Sequence, residues 1–149
     1  MSKVSKSIFV LKEKQSEIIH DYLDLCFIDK IDTYKTSLLS CCCCENDKES
    51  VMPFSSKDKY FKDNLTKWVY DLSMSYIRKS GIDCTKLRLY TIECIRSPNP
   101  IIIKNSKEAT VIFHFTDKYN GYVTTHDTHN GILNYSSDER KYIVVVYEA

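Results

Sequence analysis

Between residues 87 and 148 apolar side chains recur at every second position, whereas upstream of residue 81 they recur at every third or fourth. A period of two belongs to strands and a period near 3.6 to helices, so the chain has to build its first half from helix and its second from sheet. Helices followed by strands predict an α+β domain, with two N-terminal helices packed on a mostly antiparallel sheet of about four strands. At 149 residues one hydrophobic core is enough for such a fold.

In the first half, Ile19, Tyr22, Leu23, Cys26 and Lys30 fall at helical spacing within residues 16–34, with Glu17, Asp21, Asp24 and Asp29 largely elsewhere on the wheel. The pattern leaves open whether this helix continues through Leu38 and Leu39 or stops near Thr33. Residues 1–15 read as a tail and residues 16–149 as a single domain. Residues 41–56 carry Asn46, Asp47, Pro53 and several serines, and read as a mobile connector inside that domain. A second helix follows, with Ser56 as its cap, Asp58 in its first turn and Gly81 closing it beyond Lys79. Phe61, Leu65, Trp68, Val69, Leu72 and Tyr76 form one broad apolar stripe, which predicts Trp68 and Leu72 in the core.

Four strands are expected in the second half. The first spans 87–96 and ends at the SPNP run of residues 97–100, whose prolines remove ladder donors. The second, 109–116, sets Val111, Phe113 and Phe115 on one face and Thr110, Ile112, His114 and Thr116 on the other. The third spans 122–128. The last, 141–148, contains YIVVVY, apolar on both faces and therefore a central strand. Phe113 and Val144 are predicted core residues on this basis. A five-residue loop at 117–121 sets Phe115 opposite Val123 and His114 opposite Thr124, and is preferred because it pairs apolar with apolar. A turn at Asn120 and Gly121 alone would set Phe115 opposite His126.

Charge and composition narrow the function classes. Lysine and arginine total 21 against 20 acidic residues, a net charge of +1, too little to grip a phosphate backbone. No nucleic-acid partner is expected. Three glycines leave little material for phosphate-cradling loops, and neither common nucleotide-binding pattern is present. Only four consecutive apolar residues precede Lys12 and Glu13, too few for a signal-peptide core, so a cytosolic setting without a membrane partner is expected. Seven cysteines, four of them adjacent at Cys41 to Cys44, suggest reduced thiols rather than a disulfide framework.

The histidines carry the sharpest chemical alternative. His114, His126 and His129, with Asp127 between the last two, offer imidazole ligands for zinc or another metal. Residues 126 and 129 straddle the end of a predicted strand, where alternation does not converge them. The tripeptides at 114–116 and 126–128 share the form HxT found in two-histidine phosphoesterases, but here both would sit on one hairpin. No catalytic residue and no cofactor is expected from these patterns.

Segments 66–70 (TKWVY) and 90–95 (YTIECI), joined through the KSGID turn at 79–83, resemble the Tctex-type dynein light chains. That family has a tryptophan-bearing helix, a lysine and glycine turn and a strand of the form YxxxC. The run FHFTDKYNG at 113–121 resembles its next strand pair, and the strand beginning at Tyr142 its last. The chain departs from it by an insertion at 98–104, a longer loop at 129–140 and the cysteine-bearing connector.

The resemblance implies a non-catalytic dimeric adaptor of the cytoplasm and cytoskeleton, or of the cilium and axoneme. It implies pairing with itself or a related light chain, and a dynein intermediate-chain segment bound as an added strand. The corresponding partner or dimer surface is Tyr90, Ile92 and Cys94 on one strand and Thr110, Ile112, His114 and Thr116 on the next. The second of these is expected at a sheet edge, because the last strand is too apolar for a margin. A lineage-specific or viral protein-interaction domain is the remaining alternative.

Overall fold

The computed structural model describes residues 5–29, 33–34, 48–128 and 131–149. Their elements are β1 (Ser5–Val10), α1 (Glu13–Asp29), β2 (Thr33–Tyr34), β3 (Glu49–Ser55), α2 (Asn64–Lys79) and β4 (Arg88–Arg96). They continue with β5 (Ile101–Asn105), β6 (Ala109–Asp117), β7 (Asn120–Asp127), β8 (Leu133–Ser137) and β9 (Lys141–Glu148). Seven strands form one sheet in the order β1-β7-β6-β9-β4-β3-β2, and β5 pairs with β8 in a separate ribbon. Every pairing is antiparallel. The α+β class and the two helices stand as expected; the sheet is larger than the expected four strands.

The strand of residues 141–148 is central, as its two-faced apolar character requires: β9 lies between β6 and β4. One face of the sheet, with Val111, Phe113, Ile143, Val145, Ile92 and Cys94, packs on Ile19, Leu23, Val69 and Ile77 of the helices. The opposite face, with Ile95, Ile112, Tyr142, Val144 and Val146, is covered by Ile101 and Ile103 of β5 and Leu133 of β8. The domain is therefore a three-layer sandwich of helices, sheet and ribbon.

The additional strands come from segments that composition disguises. Residues 5–10, expected in a tail, form β1 along β7. Residues 49–55, expected in the connector, form β3; residues 41–47 of that connector, with the cysteine run at 41–44, lie outside the described residues, as does Lys30. Pro53 and Met52 sit where the β3–β4 register shifts between Val51 and Phe54. A proline, which donates no ladder bond, is tolerated at such an irregularity. The insertion at 98–104 and the loop at 129–140 contribute β5 and β8, which pair only with each other.

Helix α1 ends at Asp29, and its inner residues Ile19, Tyr22, Leu23 and Cys26 are buried as the spacing predicts. Helix α2 starts later than expected. Asp63, not Ser56, is its cap, accepting from the Thr66 amide at 2.7 Å, while Asp58 belongs to a turn back to Ser55. Its other end closes as expected. Gly81 has φ +78°, and the amides of Gly81 and Ile82 return to the carbonyls of Arg78 and Ile77.

The buried face of α2 is rotated from the apolar stripe, toward Thr66, Val69, Ser73, Tyr76 and Ile77; Trp68 and Leu72 are half-buried and Leu65 is exposed. Small hydroxylated residues bring the helix close because their hydroxyls find partners. Ser73 Oγ donates to the Val69 carbonyl at 2.8 Å, and the Thr66 hydroxyl meets that of Tyr22 at 2.9 Å.

The β6–β7 hairpin adopts neither expected register. Asp117 pairs with Asn120, Phe115 with Gly121 and Phe113 with Val123. The Asp117 carboxylate accepts from the amides of Tyr119 and Asn120 at 2.8 and 3.1 Å, which allows a turn shorter than the five-residue loop. Apolar still faces apolar, since the actual register differs from the preferred one by two residues.

Truncation of Phe113 to alanine, fully buried between α2 and the sheet, is expected to cost about 3 to 5 kcal/mol in urea unfolding. Trp68→Ala is expected to cost about half as much because the indole is only partly covered. Equal losses would place Trp68 fully in the core.

Candidate functional site

Of the strands at the two ends of the main sheet, β1 is described in full over its six residues. Its inner edge is fixed by the chain's own geometry: the amide of Leu11 donates to the Gly121 carbonyl at 3.0 Å. Hydrogen-bonding direction alternates along an antiparallel strand, so Ser7 and Phe9 also turn their backbone groups toward β7. Lys6, Ile8 and Val10 therefore turn their N–H and C=O groups outward, where no described strand pairs with them.

The side chains of β1 divide in the same alternation. Phe9 packs toward the helices, 5.1 Å from the Tyr76 ring. Lys6, Ile8 and Val10 stand on the ribbon side, opposite His126, Thr124 and Tyr122 of β7. Ile8 is 59% exposed and Val10 83%, large values for apolar residues on an ordered strand. Lys6 reaches over the Tyr135 ring of β8 at 5.0 Å. Natural edges are usually blunted by charge, proline or cover; here one lysine guards an otherwise apolar margin.

Behind this edge, under the ribbon, lies a polar chain. Nε2 of His114 and Nε2 of His126 lie 3.0 and 2.9 Å from the Thr124 hydroxyl. Nδ1 of His114 lies 3.4 Å from Ser137 Oγ, which donates to the Glu139 carboxylate at 2.5 Å. The Tyr122 hydroxyl donates to the other carboxylate oxygen at 3.0 Å, and the Tyr122 ring stacks on His114 at 4.4 Å.

The carboxylate sets the direction of the whole chain. It accepts the Ser137 O–H, so Ser137 in turn accepts from His114 Nδ1–H; His114 Nε2 then accepts from Thr124, which accepts from His126 Nε2–H. Both imidazoles are neutral in this arrangement. Burial holds His114 down at about 3, against a partial upward pull from Glu139, with His126 and Lys6 adding to the lowering. Burial, with Lys6, holds His126 at about 4. Burial raises the Glu139 carboxyl, but hydrogen bonds from Ser137 and Tyr122 outweigh it and leave it below its ordinary value.

His114 and His126 thus come together through Thr124, on neighbouring strands. His129 lies outside the described residues. Among the described residues no group of three histidine, cysteine or acidic side chains is placed to hold a metal. Both imidazoles are almost completely buried.

The expected partner surface is placed differently from the expectation. Strand β6 pairs with β7 on one side and β9 on the other, so Thr110, Ile112 and His114 lie on a central strand and are buried. The strand at 109–116 is therefore not an edge, because β7 and β9 take both of its margins, and the unforeseen β1 ends the sheet beyond β7. Ile92 and Cys94 are buried on the helix side of β4, and Tyr90 packs half-buried on the ribbon side. Thr116 is exposed and lines an open groove of about 450 Å³ with His20, Phe115, Glu139, Arg140 and Lys141. Phe113 and Val144 are buried as expected, on opposite faces.

Lys6, Ile8 and Val10 were missed because SKSIFV ends in three apolar residues in a row, which blurs the alternation that would mark an amphipathic strand. No known protein family, curated protein or solved structure matches the chain. Among the described residues no helix is long and apolar enough to cross a membrane.

The polar chain makes stability pH-dependent with a definite sign. His114 and His126 have folded values near 3 and 4, below the ordinary 6.5, so the unfolded chain binds protons first as pH falls. Stability is full above 6.5 and is lost between 6.5 and about 3. His20, lowered by burial and by Lys141, adds in the same direction. Taking the protein from about pH 7 to about pH 5 is expected to remove on the order of 3 kcal/mol, measured by urea unfolding. The double variant His114→Gln with His126→Gln is expected to flatten most of that slope; an unchanged slope would mean the imidazoles are solvated.

Proposed function

We propose that the chain is a non-catalytic protein-interaction subunit that receives an extended segment of another chain along the outer edge of β1, as an eighth strand of the main sheet. The observation that carries this reading is the outward-facing backbone of Lys6, Ile8 and Val10 joined to the exposed side chains of Ile8 and Val10. Main-chain hydrogen bonds supply affinity in such an addition, and alternate side chains supply register. A segment with apolar residues facing Ile8 and Val10 covers surface that water otherwise wets.

The resemblance of residues 66–95, 113–121 and 142–146 to the Tctex-type light chains gives this reading its specific form: a dynein-associated adaptor, cytoplasmic or axonemal, whose added strand comes from an intermediate chain. In that form the surface is β1 rather than the strand at 109–116. One feature supports a binding role over catalysis: both imidazoles are buried and spend their Nε2 atoms on Thr124.

Ile8→Pro is the most selective test. Its missing N–H points outward, so the β1–β7 ladder loses nothing, and proline is tolerated on an edge strand in this orientation. Tagged protein recovered from native cells is expected to bring dynein intermediate and heavy chains with it, and Ile8→Pro is expected to reduce that recovery at least about tenfold. Undiminished recovery with Ile8→Pro would overturn strand addition at β1. Partners lost with Ile8→Pro that include no dynein chain would keep the edge and overturn the dynein form.

A further inference from the structure

Resting on the reading of β1 as a strand-accepting edge, we infer that in the absence of a partner segment the edge is closed by β1 of a second copy of this chain, antiparallel about a twofold axis at Ile8. The outward backbone groups are those of Lys6, Ile8 and Val10, evenly spaced about Ile8. An antiparallel second copy centred there sets Ile8 against Ile8 and Lys6 against Val10 of the second copy. Each of these residues meets another outward-facing one, so all three form hydrogen-bonded pairs that exchange two bonds each. Sliding the copies by two residues in either direction loses a pair, and sliding by one sets outward groups against inward ones.

Side chains favour the same register. Ile8 meets its equivalent at the axis, where both are exposed in the single chain, and the apolar stem of each Lys6 lies along Val10 of the second copy. The two lysines are the charged residues of the strand. Antiparallel pairing carries them to opposite ends of the contact, about four strand residues or 13 Å apart, beyond the screening length of about 8 Å at physiological salt. A register that brought Lys6 against Lys6 would set like charges directly opposite. The edge is thus self-complementary in hydrogen bonding and apolar contact, and it keeps its like charges apart.

The contact is small. One strand pair covers much less than the roughly 1,600 Å² of a standard stable interface, so the association is weak and reversible. A dissociation constant on the order of 100 μM is expected. This weakness suits a cap that a longer segment displaces: dimer and partner complex use the same outward groups and exclude each other.

Sedimentation equilibrium of the full chain over about 10 μM to 1 mM tests the inference. Wild type is expected to pass from monomer to dimer across that range, and Ile8→Pro is expected to remain monomeric. Ile8→Lys with Val10→Lys, which keeps every backbone donor but brings charge to the axis, is expected to weaken the dimer at least tenfold. Circular dichroism and urea unfolding establish that each variant is folded. Wild type monomeric at the top concentration, or a dimer undiminished in both folded variants, overturns the inference. A monomeric wild type whose dynein recovery falls with Ile8→Pro overturns this dimer alone. A dimer lost in Ile8→Pro, beside recovery that Ile8→Pro leaves unchanged, overturns the partner reading alone.

Discussion

Strands β6 and β9 bury side chains on both of their faces, and that demand organises the rest of the molecule. A sheet whose centre is apolar on one side needs one cover, and Ile112, Val144 and Val146 require a second beneath the layer formed by Val111, Phe113, Ile143 and Val145. The helices supply the first. The β5–β8 ribbon supplies the other, from segments that lie between main-sheet strands in the chain and pair only with each other. Because β9 and β6 occupy the centre, the strands that arrive from elsewhere in the chain, β1 and β2, are left at the ends.

The second cover brings polar groups under it, and their pairing explains why the site is buried. Thr124, His114 and His126 point from the sheet toward a ribbon whose Ser137 and the following Glu139 are also polar. Unpaired buried imidazoles would be costly, and the half-buried Glu139 carboxylate supplies the acceptor on which their chain ends. Joined in one direction, each donor meets an acceptor, and the two histidines remain neutral near neutral pH. The network therefore fixes how the ribbon sits over the sheet, and it makes that seating sensitive to acid.

Periodicity made the α+β class, the buried face of α1, the close of α2 at Gly81, and strands β4, β6, β7 and β9 legible within a few residues. It did so where the pattern reports burial directly. It failed where local chemistry overrides pattern. Pro53 marks an irregular strand rather than a connector, Asp117 folds its own turn, and the inner face of α2 is lined by Thr66 and Ser73, whose hydroxyls are satisfied locally. The candidate surface was harder still. An edge is defined by which strands are its neighbours, and β1 is placed on β7 by a pairing between residues more than a hundred positions apart. Nothing in the alternation of residues 109–116 reveals that both of their margins are already taken.

The functional account depends on one property of β1: alternate backbone groups are engaged by β7 while the others are open to an incoming strand. Residue-resolved amide hydrogen exchange on dilute protein, below the concentration of self-association, reads this property directly. The amides of Ser7, Phe9 and Leu11 are expected to be protected and those of Lys6, Ile8 and Val10 to exchange freely, a two-residue alternation along the strand. Equal protection of both sets would mean that another part of the chain already covers the edge, and would contradict the account.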